Sequence, residues 1–184
     1  ACVRTNPESQ ERECVELKWG LVPSWAKDPS IGNKMINARA ETVAVKPSFR
    51  HSFEKQRCLV LADGFYEWKR EGKVKQPYYI RFKDHRLFAF AGLWERWEKQ
   101  DPALETFALI TTGPNALMEP IHNRMPVILP EESYASWLNP GLNNTIYLSG
   151  FLGPYPAEEM EAIPISAFVN NPRLDDPRCI QPLG

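Results

Sequence analysis

Histidine is scarce in this chain: three residues among 184, at positions 51, 85 and 122, none in an HExxH or HxH spacing or beside a nucleophile-elbow serine. Zinc hydrolases and α/β-hydrolases therefore have no support. The four cysteines, at 2, 14, 58 and 179, form no CxxC pair and have no histidine cluster nearby. That removes the tetrahedral-zinc and dithiol motifs and leaves reduced thiols as the expectation, with no metal and no cofactor. Glycine is slightly sparse at 10 residues, while proline, at 17, is nearly double its usual share. Long helical bundles are disfavoured by such frequent interruption. The longest apolar run, residues 87–94, falls far short of the roughly 20 residues a helical membrane span needs, so no membrane partner is expected. The chain opens on Ala1 with no charged-then-apolar segment, and a cytoplasmic location is the expectation.

What is present is enough for one compact domain over residues 1–184: 43% of residues are apolar, and 22 Lys+Arg stand against 23 Asp+Glu. The near-neutral balance hides an asymmetry, because residues 34–86 carry 13 Lys/Arg against 6 Asp/Glu and the remainder carries 9 against 17. Gathered on one face, these charges would attract the phosphates of a nucleic acid; scattered, they are a solvated surface.

Alternation at 14–19 reads as a half-buried strand with Val15, Leu17 and Trp19 on one side. Pro47, followed by Phe49 and Phe53, predicts a short helix ending before Arg57. Short β runs follow at 58–62, 65–69, 78–82, 87–93 and 107–111, with hairpin turns at 71–72 and 83–86. A short helix near 114–118, a strand at 125–129, a helix from 130 to 138 and a last strand near 179–181 complete the prediction. The fold class expected is α+β: a curled, largely antiparallel, barrel-like sheet with short peripheral helices.

Four places could carry chemistry. His122 precedes Asn123-Arg124-Met125-Pro126 at a predicted junction, either exposed for function or hydrogen-bonded as a structural residue. Glu67 alternates in sense with Tyr66 and Trp68. Facing an apolar cleft it would be raised toward the range of a general acid or base, and facing solvent it would be an ordinary strand residue. Asn37 and Arg39 share a face if their segment is extended, a pairing suited to an anionic substrate or, alternatively, to a turn and a surface ion pair with Glu41. Trp19, Trp25 and Trp68 offer flat faces for stacked bases, or belong to the core.

Taken together, Trp19-Gly20-Leu21-Val22-Pro23-Ser24-Trp25, Asn37-Ala38-Arg39-Ala40-Glu41, Ala62-Asp63-Gly64-Phe65-Tyr66-Glu67-Trp68 and His122-Asn123-Arg124-Met125-Pro126 occur in the order and spacing of the SRAP family, the SOS-response-associated peptidases, which the chain resembles from about Val3 to its end. The resemblance implies a DNA-damage protein that binds single-stranded DNA at abasic sites. It would capture the sugar aldehyde as a thiazolidine on an N-terminal cysteine, after self-removal of an initiator Met, with peptidase and lyase-like activity. It implies that Asn37 positions the amine, that Glu67 and His122 move protons, and that Arg39, Trp25 and Arg124 contact DNA. No obligate protein partner is implied. The family opens Met-Cys-Gly-Arg, whereas this chain opens Ala1-Cys2-Val3-Arg4, and residues 3–13 resemble an internal hairpin of the family. By that register roughly 40 family residues precede Ala1, Cys2 is a strand residue, and the nucleophile is not among these residues; the alternative is that Cys2 substitutes for it. A non-catalytic module for single-stranded nucleic acid, and a structural or peptide-binding β domain, are the readings from other classes.

Overall fold

The computed structural model describes residues 1–72 and 74–183. Its elements in chain order are β1 (Cys2–Thr5), β2 (Arg12–Val15), β3 (Lys18–Trp19), β4 (Asn37–Arg39), α1 (Arg50–Lys55), β5 (Arg57–Ala62), β6 (Phe65–Glu71) and β7 (Val74–Phe82). Next come β8 (Phe88–Trp97), β9 (Leu104–Thr112), β10 (Met125–Pro126), β11 (Ile128–Leu129), α2 (Tyr134–Leu138), α3 (Thr145–Ser149) and β12 (Met160–Pro164). The class is α+β, as expected, with a curled, largely antiparallel sheet and few short helices.

The residues fall into two compact units, each assembled from three stretches of chain. The first comprises Ala1–Leu61, Phe88–Thr112 and Pro126–Pro154, the second Ala62–Leu87, Gly113–Met125 and Tyr155–Gly184. Among the described residues the larger sheet has nine strands along the path β10-β9-β8-β5-β1-β2, with β11 on β8 and both β3 and β4 on β9. The last two pair parallel with β9, whereas β1 with β2 and β5, β11 with β8, and β8 with β9 pair antiparallel. β8 carries the long apolar run because both its faces are covered. Ala89, Ala91 and Leu93 enter one cluster with Phe49, Phe53, Ile110 and Trp137, while Phe88 and Phe90 meet edge-on with ring centres 5.2 Å apart. The second unit is built on a three-stranded antiparallel sheet, β12-β7-β6. Gly72, at φ 61°, supplies the left-handed residue where β6 ends.

Several boundaries differ from expectation for identifiable reasons. The strand expected at 14–19 is two strands, because β2 pairs with β1 while β3 pairs with β9. The helix expected near 114–118 is a set of turns in which the Asn115 side chain accepts the Met118 N–H at 3.0 Å, competing with helix propagation. The strand at 125–129 breaks at Val127, whose N–H donates to Ile110 and whose carbonyl accepts from Ala91. In place of the strand near 179–181 there is a single-turn helix over Pro177–Ile180, capped by the Asp176 side chain and opened by proline. Sequence reasoning did not anticipate α3 or β12.

Candidate functional site

In the first unit, β4 is a three-residue strand whose middle residue, Ala38, is fully buried while Asn37 and Arg39 face outward together. Its parallel register on β9, Asn37 against Leu109 and Arg39 against Thr111, fixes both side chains by backbone pairing rather than by loop packing. Trp19 is half exposed, but one face lies against Phe107 at 6.2 Å with rings nearly parallel, and its indole N–H donates to the Ile36 carbonyl. It is anchored to the segment that leads into Asn37. Trp25 is different: it is 57% exposed and projects from a turn closed by the Ala26 N–H on the Pro23 carbonyl.

Cys2 lies in β1 opposite Val15 and Val60 and is 1% exposed. A hydrogen bond from the Cys58 thiol pulls the Cys2 thiol below its usual value, whereas burial pushes Cys58 well up.

In the second unit, Glu67 leaves β6 on the side opposite Tyr66 and Trp68, whose rings approach at 6.5 Å. Its Oε1 accepts the Trp68 backbone N–H at 3.1 Å, and its Oε2 lies 3.5 Å from His122 Nδ1. His122 ends the run of turns, its N–H donating to the Met118 carbonyl. Its Nδ1 lies 3.1 Å from the Arg124 carbonyl and 3.2 Å from the Arg124 N–H. A carboxylate and an imidazole from segments 55 positions apart thus share a hydrogen-bonding neighbourhood, partly exposed at 22% and 41% of their side chains. Such a pair can pass a proton to or from a group placed beside it. Arg124 is half-buried, its backbone bracketing the imidazole.

On the opposite side of β6, Tyr66, Trp68 and Tyr79 line a cavity of about 620 Å³ closed by residues from 169–180. The Trp68 indole N–H donates to Asn170 at 2.7 Å. This wall lies in a stretch with neither period nor strand signal, so only long-range packing could reveal it. Among the described residues no group of three or more His, Cys, Asp or Glu could hold a metal ion.

The family model for SOS response associated peptidase (SRAP) matches residues 1–172. The chain belongs to the SRAP family. It is 52% identical over 168 residues to the abasic site processing protein YoqW of Bacillus subtilis (strain 168), covering 90% of this chain and 75% of that one. To the abasic site processing protein HMCES of Gallus gallus it is 37% identical over 206 residues, 98% of this chain and 61% of the relative. A crystal structure of a protein from Bacteroides thetaiotaomicron superposes with a TM-score of 0.87 at 36% identity, covering 98% of this chain and 80% of that one. The Asn37, Arg39, Glu67 and His122 described above therefore sit in the framework of an SRAP fold.

Proposed function

We propose that this SRAP-family chain processes abasic sites in DNA, binding the damaged strand in single-stranded form, and that in the intact family form, which carries the capturing N-terminal cysteine, the ring-opened sugar aldehyde is handled covalently. Relatives named as abasic site processing proteins support the first part, and the observation that carries the second is the 3.5 Å contact between Glu67 and His122. An aldehyde condensing with an amine forms a carbinolamine and then loses water, so a proton must reach the departing hydroxyl as the C–O bond breaks. Glu67 and His122 are the groups assigned to that transfer. Asn37 is assigned to hold the amine through its amide oxygen, and Arg39 to hold a flanking phosphate through its guanidinium. Trp25 and Arg124 are assigned to contacts with the DNA. An abasic nucleotide suits such a site because it has no base to unstack on entry.

Arg39 is exposed along with Lys34, Lys46, Arg50 and Lys55 in the same unit, so affinity for single-stranded DNA should fall steeply as salt rises. Arg39→Ala should weaken binding to every sequence alike and lower the salt slope by about 0.7, the value for one phosphate contact on a single strand. Titration by fluorescence anisotropy at several salt concentrations reads both quantities, and a flat salt response would remove the nucleic-acid reading.

The capturing cysteine, in this proposal, is not Cys2. A thiazolidine takes its nitrogen and sulfur from one residue, and the Cys2 nitrogen is already in the peptide bond to Ala1. Its thiol alone could form only a hemithioacetal, which denaturation in water reverses. Cys2→Ala should leave any denaturation-resistant crosslink to abasic DNA intact on a gel. Loss of such a band in Cys2→Ala would make Cys2 the nucleophile.

A further inference from the structure

The cavity of about 620 Å³ beside β6 lies wholly within the second unit, on the side of the strand away from Glu67. Its size falls within the roughly 300–1,000 Å³ typical of small-ligand sites. Three aromatic rings from two paired strands line it. Tyr66 stands opposite Tyr79 in the β6–β7 register, with ring centres 5.7 Å apart and planes tilted by 45°, and Trp68 continues the row at 6.5 Å and 54° from Tyr66. Rings so tilted do not stack face to face. Their positions are fixed: the Trp68 indole N–H donates to Asn170 at 2.7 Å, and the Tyr79 hydroxyl donates to the Asp63 carbonyl at 3.4 Å. A methyl group at Gly64 would strike the Tyr79 ring, so the ring can lie where it does only beside a glycine.

The charge around these rings has one sign. Among the described residues Asp63, Asp175 and Asp176 line the cavity, and no lysine, arginine or histidine does. Asp176 is neutralised by Arg178, whose Nε and Nη2 each donate to it at 2.9 Å. Arg81, 5.9 Å from the centre of the Tyr79 ring, is paired with Glu161 at 2.8 Å. That leaves Asp63 and Asp175, both exposed, as the charges the lining presents. Both act on Tyr66, whose hydroxyl is held above its ordinary pKa by burial first and then by Cys179, Asp63 and Asp175.

An anion, a DNA phosphate included, would be repelled here, and an uncharged ligand would gain nothing from the carboxylates. Aromatic faces carry the negative part of the ring quadrupole, so rings and carboxylates favour the same partner, a cation. A small, strongly hydrated cation would have to shed its water to touch the rings, whereas a quaternary ammonium is weakly hydrated and brings methyl groups to bury against them. We propose that this cavity is a binding site for a trimethylammonium group, with Tyr66, Trp68 and Tyr79 as its aromatic cage and Asp63 and Asp175 supplying the opposite charge. The group can arrive on a free small molecule or on a trimethylated lysine of another protein, and the chemistry recognised is the same. The inference is independent of the DNA reading above.

The test titrates the full chain with choline and with dimethylbutanol, its uncharged carbon isostere, so that only the charge differs. Choline should bind about tenfold tighter, the size of a partly desolvated cation–π contact, and should shift the NMR resonance of the Trp68 indole N–H, assigned by its disappearance in Trp68→Leu. Asp63→Asn combined with Asp175→Asn should bring the choline-to-isostere ratio toward one. The comparison on the unaltered protein needs no variant, so a folding defect in a variant does not decide the outcome. A peptide carrying one trimethyllysine, set against the same peptide with unmodified lysine, identifies the source: binding tighter than choline assigns the site to a protein partner, and weaker or equal binding assigns it to a free cation. Equal affinity for choline and its isostere, no binding of either, or binding that leaves the Trp68 resonance unmoved overturns the proposal.

Discussion

In the intact form that carries the capturing N-terminal cysteine, Glu67→Gln is expected to slow sugar capture by about a hundred- to ten-thousand-fold, the usual worth of a positioned proton-transfer group. The substitution keeps the size and most of the hydrogen bonding of the side chain. Its carbonyl oxygen can still accept the Trp68 N–H, so the β6 backbone has no reason to move. What disappears is the capacity to take and return a proton beside His122, 3.5 Å away. His122→Gln should show a loss of the same order. The double variant should cost little more than either single one, because groups that act as a unit are strongly non-additive. Single-turnover crosslinking of that form to abasic single-stranded DNA measures the rates, and anisotropy on the same samples separates lost chemistry from lost affinity. Full-rate capture by Glu67→Gln would remove Glu67 from the proton-transfer role. Additive losses would mean that the two residues work on different steps.

Arg57→Ala is expected to destabilise the protein by about 3–5 kcal/mol, a large share of a typical folding free energy. Arg57 is 4% exposed, and its guanidinium meets carbonyls rather than a carboxylate. Nε donates to Trp137 at 2.7 Å, Nη1 to Phe53 and Glu54 at 2.8 and 2.6 Å, and Nη2 to Asn139 and Leu142 at 2.6 and 2.9 Å. These carbonyls lie at the ends of α1 and α2 and in the loop after α2, where helical partners run out. Burial pulls the guanidinium down to about 10, so it remains charged at neutral pH. Alanine would leave the carbonyls to whatever water can enter. Lysine should recover only part of the loss, since one ammonium with three donors cannot span five acceptors. Thermal melts should show a drop of roughly ten degrees or more for Arg57→Ala, and a melt unchanged within a degree or two would contradict the clamp.

How much of this was readable beforehand depended on whether the cause was local. β5 to β9 announced themselves because alternation and an apolar run are properties of a few adjacent residues, and the β6 turn because Gly72 tolerates a positive φ. The shared face of Asn37 and Arg39 followed from the two-residue period of an extended chain, yet the partner that makes the segment extended, β9, lies about seventy positions away and left no mark on it. Asn115 looked like part of a short helix because propensity does not register a side chain that takes a backbone donor for itself. Glu67 and His122 were each legible as candidates from their neighbours, whereas their meeting was beyond any local signal.

The chain enters the second unit three times and leaves it twice, at Leu61, Leu87, Thr112, Met125 and Pro154. Each unit is therefore stitched from discontinuous pieces. No single scission of the backbone liberates either unit as a fragment, and no contiguous stretch of gene encodes one. A protease nick at one of the three inner crossings, after Leu87, Thr112 or Met125, would leave both halves of the polypeptide with a stake in both units. The same weave restricts how such a protein can change over generations: Asn37 and Arg39 in one unit and Glu67 and His122 in the other cannot be exchanged as separate cassettes. Whatever each unit contributes has been inherited as a single text.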